Sequence, residues 1–253
     1  GVVPCLLFQL PFEALTGVPD LPPSLPMIAL GWLLILASFG CVKQALRRWF
    51  PRASTAAYLV AGAGIAAGSQ VFYLLLRPST YEYAILCGMA LAMAGLWQWL
   101  AAANTPVQRR APLLAHLALG SVCMALVAGC RPQMELFAVL ALPIFWQRCV
   151  AEKRLRSRAG AGEALAFALP FVLVAAGLMW YNAARFGSPF DFGANYNLTS
   201  NDMTRRGFAA GRIAPALVTF FFGVPALSTL FPYLGAARMA THYMGLTITE
   251  LFY

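Results

Sequence analysis

The chain alternates long apolar runs with short polar or basic segments along almost its whole length. Runs of roughly 18 or more apolar residues are long enough to cross a bilayer as a helix. We therefore predict an all-α, polytopic membrane protein with about seven transmembrane helices. The predicted spans are 27–45, 56–76, 82–103, 112–130, 133–146, 164–182 and 213–234, the last bent at Pro215, Pro225 and Pro232.

An apolar segment precedes these spans and differs from them. Val2–Thr16 is short, is interrupted by Pro4 and Pro11, and carries the charged Glu13. Such a segment is more typical of an interfacial or re-entrant helix than of a span. We predict an interfacial helix and an outer loop over 1–26.

The composition supports a membrane protein. Hydrophobic residues make up 60% of the chain and charged residues 11%, whereas a soluble domain has about 25% charged residues. The net charge of +9 does not indicate a nucleic-acid partner, because the basic residues lie in short clusters between apolar runs, as in loops at a membrane surface. The expected partner is the lipid bilayer.

The basic clusters recur at every second predicted loop, which indicates an orientation. Basic residues favour the cytoplasmic side of short loops. We therefore predict a multi-pass protein of the inner or plasma membrane, with loops 43–54, 104–111 and 147–163 in the cytoplasm and the polar loop 183–212 outside. This places eleven basic residues inside, namely Lys43, Arg47, Arg48, Arg52, Arg109, Arg110, Arg148, Lys153, Arg154, Arg156 and Arg158. Six lie outside: Arg77, Arg131, Arg185, Arg205, Arg206 and Arg212.

The segment "AGCRPQMELF" places two charges in a short connection between apolar runs. Ionisable groups at membrane depth are costly and are usually paired or functional. Arg131 and Glu135 are four residues apart, so a helix that starts near Arg131 would place them on one face. They would then form an ion pair that closes the hairpin. The alternative is that Arg131 faces an outward cavity and binds a phosphate with its planar set of donors.

The segment "RFGSPFDFGANYNLTSNDMTRR" is the longest polar stretch. It mixes aromatic rings with amides, acids and arginines, a combination that suits sugars and phosphates. An ordered surface loop with an aromatic anchor explains the same residues. The candidate binding residues here are Arg185, Asp191, Tyr196, Asn201, Asp202, Arg205 and Arg206.

Other recognisable chemistry is missing from the sequence. There is no Walker, HExxH or GxSxG motif, and the six cysteines show no metal-ligand spacing. We interpret His116, inside a predicted span, as a packed polar residue. In "RPSTYEY", Ser79 or Thr80 is expected to cap a helix, with Glu82 in its first turn, and Tyr81 fits an interfacial aromatic belt. No cofactor is expected, and a divalent metal is left open.

Three blocks together resemble a known family. They are "YNAARFGSPFDFGANYNLTSNDMTRRGF", "LVAGCRPQ" and "RPSTYEYAILCGMALAMAGL". The chain resembles bacterial multispanning glycosyltransferases of the GT-C type, relatives of the dolichyl-phosphate-mannose protein mannosyltransferases. Residues 1–20 are similar to the juxtamembrane helix that follows the catalytic first outer loop of such enzymes, and 27–52 would be the second membrane helix.

The resemblance implies an activity. GT-C enzymes transfer a sugar from a polyprenyl-phosphate carrier to an acceptor on the outer face, with inversion. Their base is usually an acid in the first outer loop, which would lie before Gly1. The expectation is therefore that 1–253 is a single membrane domain, a fragment without the first helix, the first outer loop and the C-terminal part. The donor phosphate would be bound by Arg131, Arg185, Arg205 or Arg206, and the acceptor is unknown.

Two other functions are compatible with the sequence. A transporter or flippase of a lipid-linked or anionic substrate would favour charged or broken helices near the middle of the membrane. A membrane scaffold without chemistry would tolerate alanine at Arg131 and throughout 185–206. The polar residues gather at one predicted face, which favours the enzyme.

Overall fold

The computed structural model describes most of the chain up to Gly193 and isolated parts beyond it. The described residues are 2–76, 78–151, 157–191, 193, 210–214, 217, 226–227, 229, 234–235, 238–243 and 246–251. The chain divides into two compact units, 1–192 and 193–253. Each unit is described by itself below.

The described elements of the first unit are all helices. They are α1 Val2–Thr16, α2 Ser24–Trp49, α3 Thr55–Gly68, α4 Val71–Leu76, α5 Thr80–Asn104, α6 Arg110–Val127, a 3-10 segment Pro132–Leu140, α7 Ala141–Trp146 with the π-helical turn Gln147–Ala151, and α8 Arg158–Phe186. Within the described residues, four helices are long and apolar enough to cross a membrane: α2, α5, α6 and α8. They identify the chain as a membrane protein and correspond to four of the seven predicted spans.

Helix α5 forms the centre of the first unit, packed between α2 and α6, and α6 in turn packs against α8. Trp99 of α5 is fully buried, and its indole N–H donates to the hydroxyl of Ser121 at 3.2 Å. Its ring lies 5.1 Å from that of Phe167 and 6.4 Å from that of Phe145, measured between centroids. Because the indole N–H is satisfied, a tryptophan can occupy the core without leaving a polar group unpaired.

Helices α5 and α6 approach each other closely at two glycines. A Cβ atom on Gly95 would lie 3.0 Å from the carbonyl oxygen of Gly120, and one on Gly120 would lie 2.5 Å from the Trp99 ring. Small residues at such crossings are typical of membrane helices, where close backbone packing replaces the hydrophobic effect as the source of association.

The second predicted span, 56–76, is not one continuous helix. It is divided between α3 and α4 at Ser69 and Gln70. The Ser69 hydroxyl donates to the Ala66 carbonyl at 2.6 Å, and Gln70 adopts a left-handed φ of +58°. A residue in that conformation ends an α-helix, so neither half reaches the length of a span.

The fifth predicted span, 133–146, runs beside α5; it begins as a 3-10 helix and continues from Ala141 as α7. Arg131 contacts Tyr81 at the start of α5, and Arg148 donates to the Ala103 carbonyl near its end at 3.0 Å. An α-helix rises about 1.5 Å per residue, but a 3-10 helix rises about 2.0 Å. The 3-10 segment therefore lets a short stretch of chain match the length of a longer α-helix.

The two ends of the first unit carry different charges. At the end that we call the basic end, Arg48 and Arg148 both donate to the Ala103 carbonyl, each at 3.0 Å, and Arg110 lies against Gly162 of α8. Its described charged residues are Lys43, Arg47, Arg48, Arg52, Arg109, Arg110, Arg148, Arg158 and Glu163. The opposite end, which we call the Arg131 end, carries Asp20, Glu82, Arg131, Glu135, Arg185 and Asp191. The described members of the three basic clusters therefore lie at one end of the first unit, and the side of the membrane that this end faces stays a prediction.

The second unit contains two antiparallel strand pairs among its described residues. Strand β1 (Ala226–Leu227) pairs with β2 (Leu234–Gly235), and β3 (Arg238–Tyr243) pairs with β4 (Leu246–Leu251). A continuous helix over 213–234 is therefore wrong at β1, which directly follows Pro225, a residue that interrupts helical hydrogen bonding. Most other residues of that predicted span lie outside the described residues.

Candidate functional site

The Arg131 side chain lies on an aromatic ring at the Arg131 end. Its guanidinium carbon is 3.9 Å from the centroid of the Tyr81 ring, in the first turn of α5. Arg131 itself precedes the 3-10 segment in an extended conformation, and its backbone N–H donates to the Val127 carbonyl at 2.9 Å. A cation placed over a ring is attracted to the ring quadrupole, so Tyr81 holds the guanidinium while leaving its in-plane N–H groups for other partners.

The predicted ion pair between Arg131 and Glu135 is wrong. Nε of Arg131 and both carboxylate oxygens of Glu135 are buried, and in the described part of the chain none has a hydrogen-bond partner. The reason is helical geometry. Residues 132–140 form a 3-10 helix with about three residues per turn, so positions four apart point in different directions. The prediction had assumed the α-helical spacing.

The buried Glu135 carboxyl group consequently has no counter-charge among the described residues. Burial raises the pKa of Glu135 from its ordinary value to about 7. The backbone N–H of Ala128 is close enough to offset part of this rise in the pKa, although it does not meet hydrogen-bond geometry. Around neutral pH a large fraction of Glu135 is therefore protonated, and a protonated carboxyl group can donate a hydrogen bond to an anion instead of repelling it.

Replacing Glu135 by Gln is expected to stabilise the protein only at high pH. The raised pKa means that the folded state binds a proton more tightly than the unfolded chain, so stability falls as pH rises from the ordinary glutamate range through about 7. Glutamine keeps the shape and never ionises. We expect Glu135→Gln to melt at a higher temperature than the unmutated protein at about pH 8 and at nearly the same temperature at about pH 4, below the ordinary pKa of a glutamate.

A matched control separates burial from net charge in that experiment. Glu13 is exposed on α1, so Glu13→Gln removes one negative charge without affecting a buried group. Thermal unfolding in detergent at both pH values, measured by circular dichroism, gives the comparison. An equal effect of Glu135→Gln at the two pH values contradicts the assignment of a desolvated carboxyl group.

A cavity lies at the first turn of α5, and its lining includes neither Tyr81 nor Arg131. It has a volume of about 550 Å³ and is lined by Pro4, Cys5, Gln9, Asp20, Leu21, Pro22, Pro23, Thr80, Tyr83 and Ala84. Helix α1 forms one wall: the Val3 N–H donates to the Gly129 carbonyl at 3.3 Å, and the Tyr83 hydroxyl donates to the Pro4 carbonyl at 3.1 Å. These bonds fix the beginning of α1 to the Arg131 end, and the interfacial position predicted for the rest of this helix stays a prediction.

The start of α5 is capped as the sequence predicts. The Ser79 side chain accepts a hydrogen bond from the Tyr81 N–H at 3.2 Å and donates to the Glu82 carboxylate. A serine cap and an acid in the first turn stabilise a helix N-terminus. The cap fixes the first turn of α5, and therefore the position of the Tyr81 ring under Arg131.

Arg185 and Asp191 lie at the same end of the first unit but make local contacts. Arg185 is in the last turn of α8, where Nη1 donates to the Tyr181 hydroxyl at 2.6 Å. The predicted outer loop 183–212 therefore starts later, at Gly187, which ends α8 with a positive φ of +79°. The Asp191 N–H donates to the Ser188 carbonyl at 3.3 Å. Tyr196, Asn201, Asp202, Arg205 and Arg206 lie outside the described residues.

Tyr81 is the site residue that sequence reasoning missed. The sequence places it in an aromatic belt, and nothing in the local pattern connects it to an arginine fifty positions later. Of the other residues considered, Cys87 and Cys130 are buried free thiols with their sulfurs 3.6 Å apart. His116 is half-buried, with Nδ1 2.7 Å from Oε1 of Gln98, which agrees with a packed polar residue. No cluster of three metal-ligating side chains occurs among the described residues.

No protein-family model, curated protein or solved structure matches this chain.

Proposed function

We propose that this chain is the membrane part of a glycosyltransferase that takes a sugar from a polyprenyl-phosphate carrier and passes it, with inversion, to an acceptor on the outer face of the membrane. The observation that carries the proposal is the Arg131 guanidinium. It is held on Tyr81, and Glu135 does not neutralise it. A guanidinium whose buried Nε has no hydrogen-bond partner among the described residues is suited to a bidentate interaction with a phosphate group.

The role assigned to this chain is donor binding. As the glycosidic bond to the phosphate breaks, negative charge develops on the leaving phosphate, and a fixed guanidinium stabilises that charge without reorganisation. No residue of this chain is assigned the role of catalytic base, and the sugar and the acceptor are not specified.

The orientation is part of the proposal. The described basic residues concentrate at the basic end, and such clusters favour the cytoplasm. The Arg131 end would then lie at the outer surface, where a lipid-linked phosphate carried by the outer leaflet is located. The cavity bounded by α1 and Tyr83 lies at that end and, at about 550 Å³, offers room for a sugar.

Cysteine labelling tests the orientation. Cys149 lies next to Arg148 at the basic end, and Phe190, which is 74% exposed, lies just beyond α8 at the Arg131 end. In sealed, right-side-out cells, a thiol reagent that cannot cross membranes is expected to label a Phe190→Cys variant and to leave Cys149 unmodified. The other native cysteines are replaced by serine in both proteins. Labelling of Cys149 without permeabilisation contradicts the orientation.

Donor binding tests the function itself. The protein in lipid nanodiscs is titrated with a short-chain polyprenyl phosphate and, in parallel, with the matching polyprenol, which lacks the phosphate. The expected result is saturable binding of the phosphate at least about tenfold tighter than that of the alcohol, because a charge-assisted interaction contributes about 1.5–3 kcal/mol. Equal binding of the two lipids rules out a phosphate site.

A further inference from the structure

A second polar cavity lies at the basic end, opposite the proposed donor site. It has a volume of about 600 Å³ and lies where the end of α2, the end of α5 and the beginning of α6 meet. Its lining residues are Gln44, Arg47, Trp97, Gln98, Ala101, Asn104, Thr105, Pro106, Arg109, Pro112 and His116. Two arginines from different elements therefore face one cavity, and none of the described residues that line it is acidic.

Two pairs of side chains in this cavity lie within hydrogen-bond distance of one another. Asn104 donates from Nδ2 to the Gln44 carbonyl oxygen at 2.8 Å and to Oε1 of Gln44 at 3.0 Å. Because the first of these bonds is to a backbone carbonyl, it fixes which end of the Asn104 amide is the donor. That in turn fixes the Gln44 amide, whose NH₂ group is left over. Oε1 of Gln98 lies 2.7 Å from Nδ1 of His116.

These contacts leave donors in the cavity lining available. The NH₂ group of Gln44 takes no part in its bonds with Asn104. Arg47 and Arg109 are exposed, and each adds a guanidinium with five donors. A site rich in donors, with two positive charges and no acid in its described lining, is complementary to a phosphate.

From this arrangement we infer that the cavity at the basic end binds the phosphate headgroup of an anionic phospholipid. The cavity lies at the ends of three helices that are long and apolar enough to cross a membrane, which is the depth of a lipid headgroup. Basic pockets between membrane helices are suited to such headgroups. A leaflet that contains anionic lipids also attracts basic residues electrostatically. The Trp97 ring, which packs on Gly40 of α2, gives the cavity one apolar wall beside the polar ones.

This site is separate from the proposed function. Arg131 and Tyr81 lie at the other end of α5 and α6, so loss of one site leaves the geometry of the other intact. Binding at the basic end would connect α2 to the beginning of α6 through a shared anion, because Arg47 belongs to α2 and Arg109 directly precedes α6.

The chain offers a matched pair of variants for the test. Arg47→Gln/Arg109→Gln removes two positive charges from the cavity. The control variant Lys43→Gln/Arg110→Gln removes two positive charges from α2 and α6 at positions outside the cavity lining. Arg110 faces Gly162 of α8 instead. A third variant, Gln44→Glu, keeps the acceptor for Asn104 and replaces the free NH₂ by a charged oxygen. Native mass spectrometry of the detergent-solubilised protein, titrated with phosphatidylglycerol, phosphatidylcholine or inorganic phosphate, measures the affinities.

The expected result is one phosphatidylglycerol bound per chain, with affinity lowered about 10- to 100-fold by Arg47→Gln/Arg109→Gln, because two charge-assisted contacts are lost. Gln44→Glu also weakens binding, whereas Lys43→Gln/Arg110→Gln does not. An equal loss in both double variants, or none in either, overturns the inference. Equal binding of phosphatidylcholine overturns the preference for an anionic lipid. Displacement of the lipid by millimolar inorganic phosphate assigns the cavity to free phosphate instead. Circular dichroism confirms that each variant is folded.

Discussion

Replacing Arg131 by Gln is expected to lower the affinity for a polyprenyl-phosphate donor about 100-fold or more and to abolish sugar transfer by the intact protein. The expected size follows from losing a bidentate, charge-assisted interaction in a partly desolvated site, at up to about 3 kcal/mol for each such bond. Glutamine also cannot stack as a cation on Tyr81. Isothermal or mass-spectrometric titration gives the binding, and transfer of a radiolabelled sugar gives the activity.

Three further variants show whether the planar guanidinium itself matters. Arg131→Lys keeps the positive charge but lacks the planar set of N–H donors of a guanidinium. It is therefore expected to keep only a small part of the affinity for the polyprenyl-phosphate donor. Tyr81→Leu keeps an apolar side chain and removes the ring, and it should weaken binding less than Arg131→Gln does. Arg185→Gln is the control, because Arg185 lies at the same end but is bound locally to Tyr181. Full donor binding by Arg131→Gln would rule out the phosphate role.

Replacing Gly120 by Val is expected to destabilise the helical unit strongly. A Cβ on Gly120 would lie 2.5 Å from the Trp99 ring and 3.0 Å from the Gly95 carbonyl oxygen. The second neighbour is backbone, so α5 and α6 must separate, and Trp99 must leave its hydrogen bond to Ser121. Overpacking of this kind costs about 1–3 kcal/mol, and the backbone contact places this case at the upper end.

Gly177 provides the matched control for that prediction. It lies on α8, is exposed, and a Cβ there would meet nothing within 4 Å. Gly177→Val carries the same β-branched side chain in a helix, so the intrinsic helix propensity changes equally in the two variants. Thermal unfolding in detergent is expected to show a clearly lower midpoint for Gly120→Val alone. Similar midpoints for both variants would contradict the close approach of α5 and α6.

The spans with uninterrupted apolar sequence could be predicted because the length of the apolar run, a property of the local sequence, determines them. In α5, the run of apolar residues and the cap by Ser79 and Glu82 lie within the segment itself. The break at Ser69 and Gln70 could not be predicted, because no proline marks it and a left-handed glutamine is uncommon. The apolar pattern of 132–140 does not distinguish a 3-10 helix from an α-helix, which is why the pairing of Arg131 with Glu135 was predicted wrongly.

The candidate site was predicted only in part for a related reason. Arg131 could be identified from its position between apolar runs, since charge at that depth is costly. Its contact with Tyr81 depends on how α5 and the 3-10 segment pack, and that packing brings together residues far apart in the chain. The cavity at the basic end could not be predicted either, because it forms only when the helices pack. In the sequence, Arg47 and Arg109 look like ordinary charged residues near loops.

The most direct test of the proposed donor site is photocrosslinking with a polyprenyl phosphate that carries a diazirine next to the phosphate. The protein is irradiated in nanodiscs, digested, and the modified residues are identified by mass spectrometry. The account predicts crosslinks to the beginning of α5 around Thr80–Tyr83 and to residues 131–135, all of them competed by unlabelled polyprenyl phosphate. Crosslinks confined to the basic end, around Asn104 and Arg109, would contradict it.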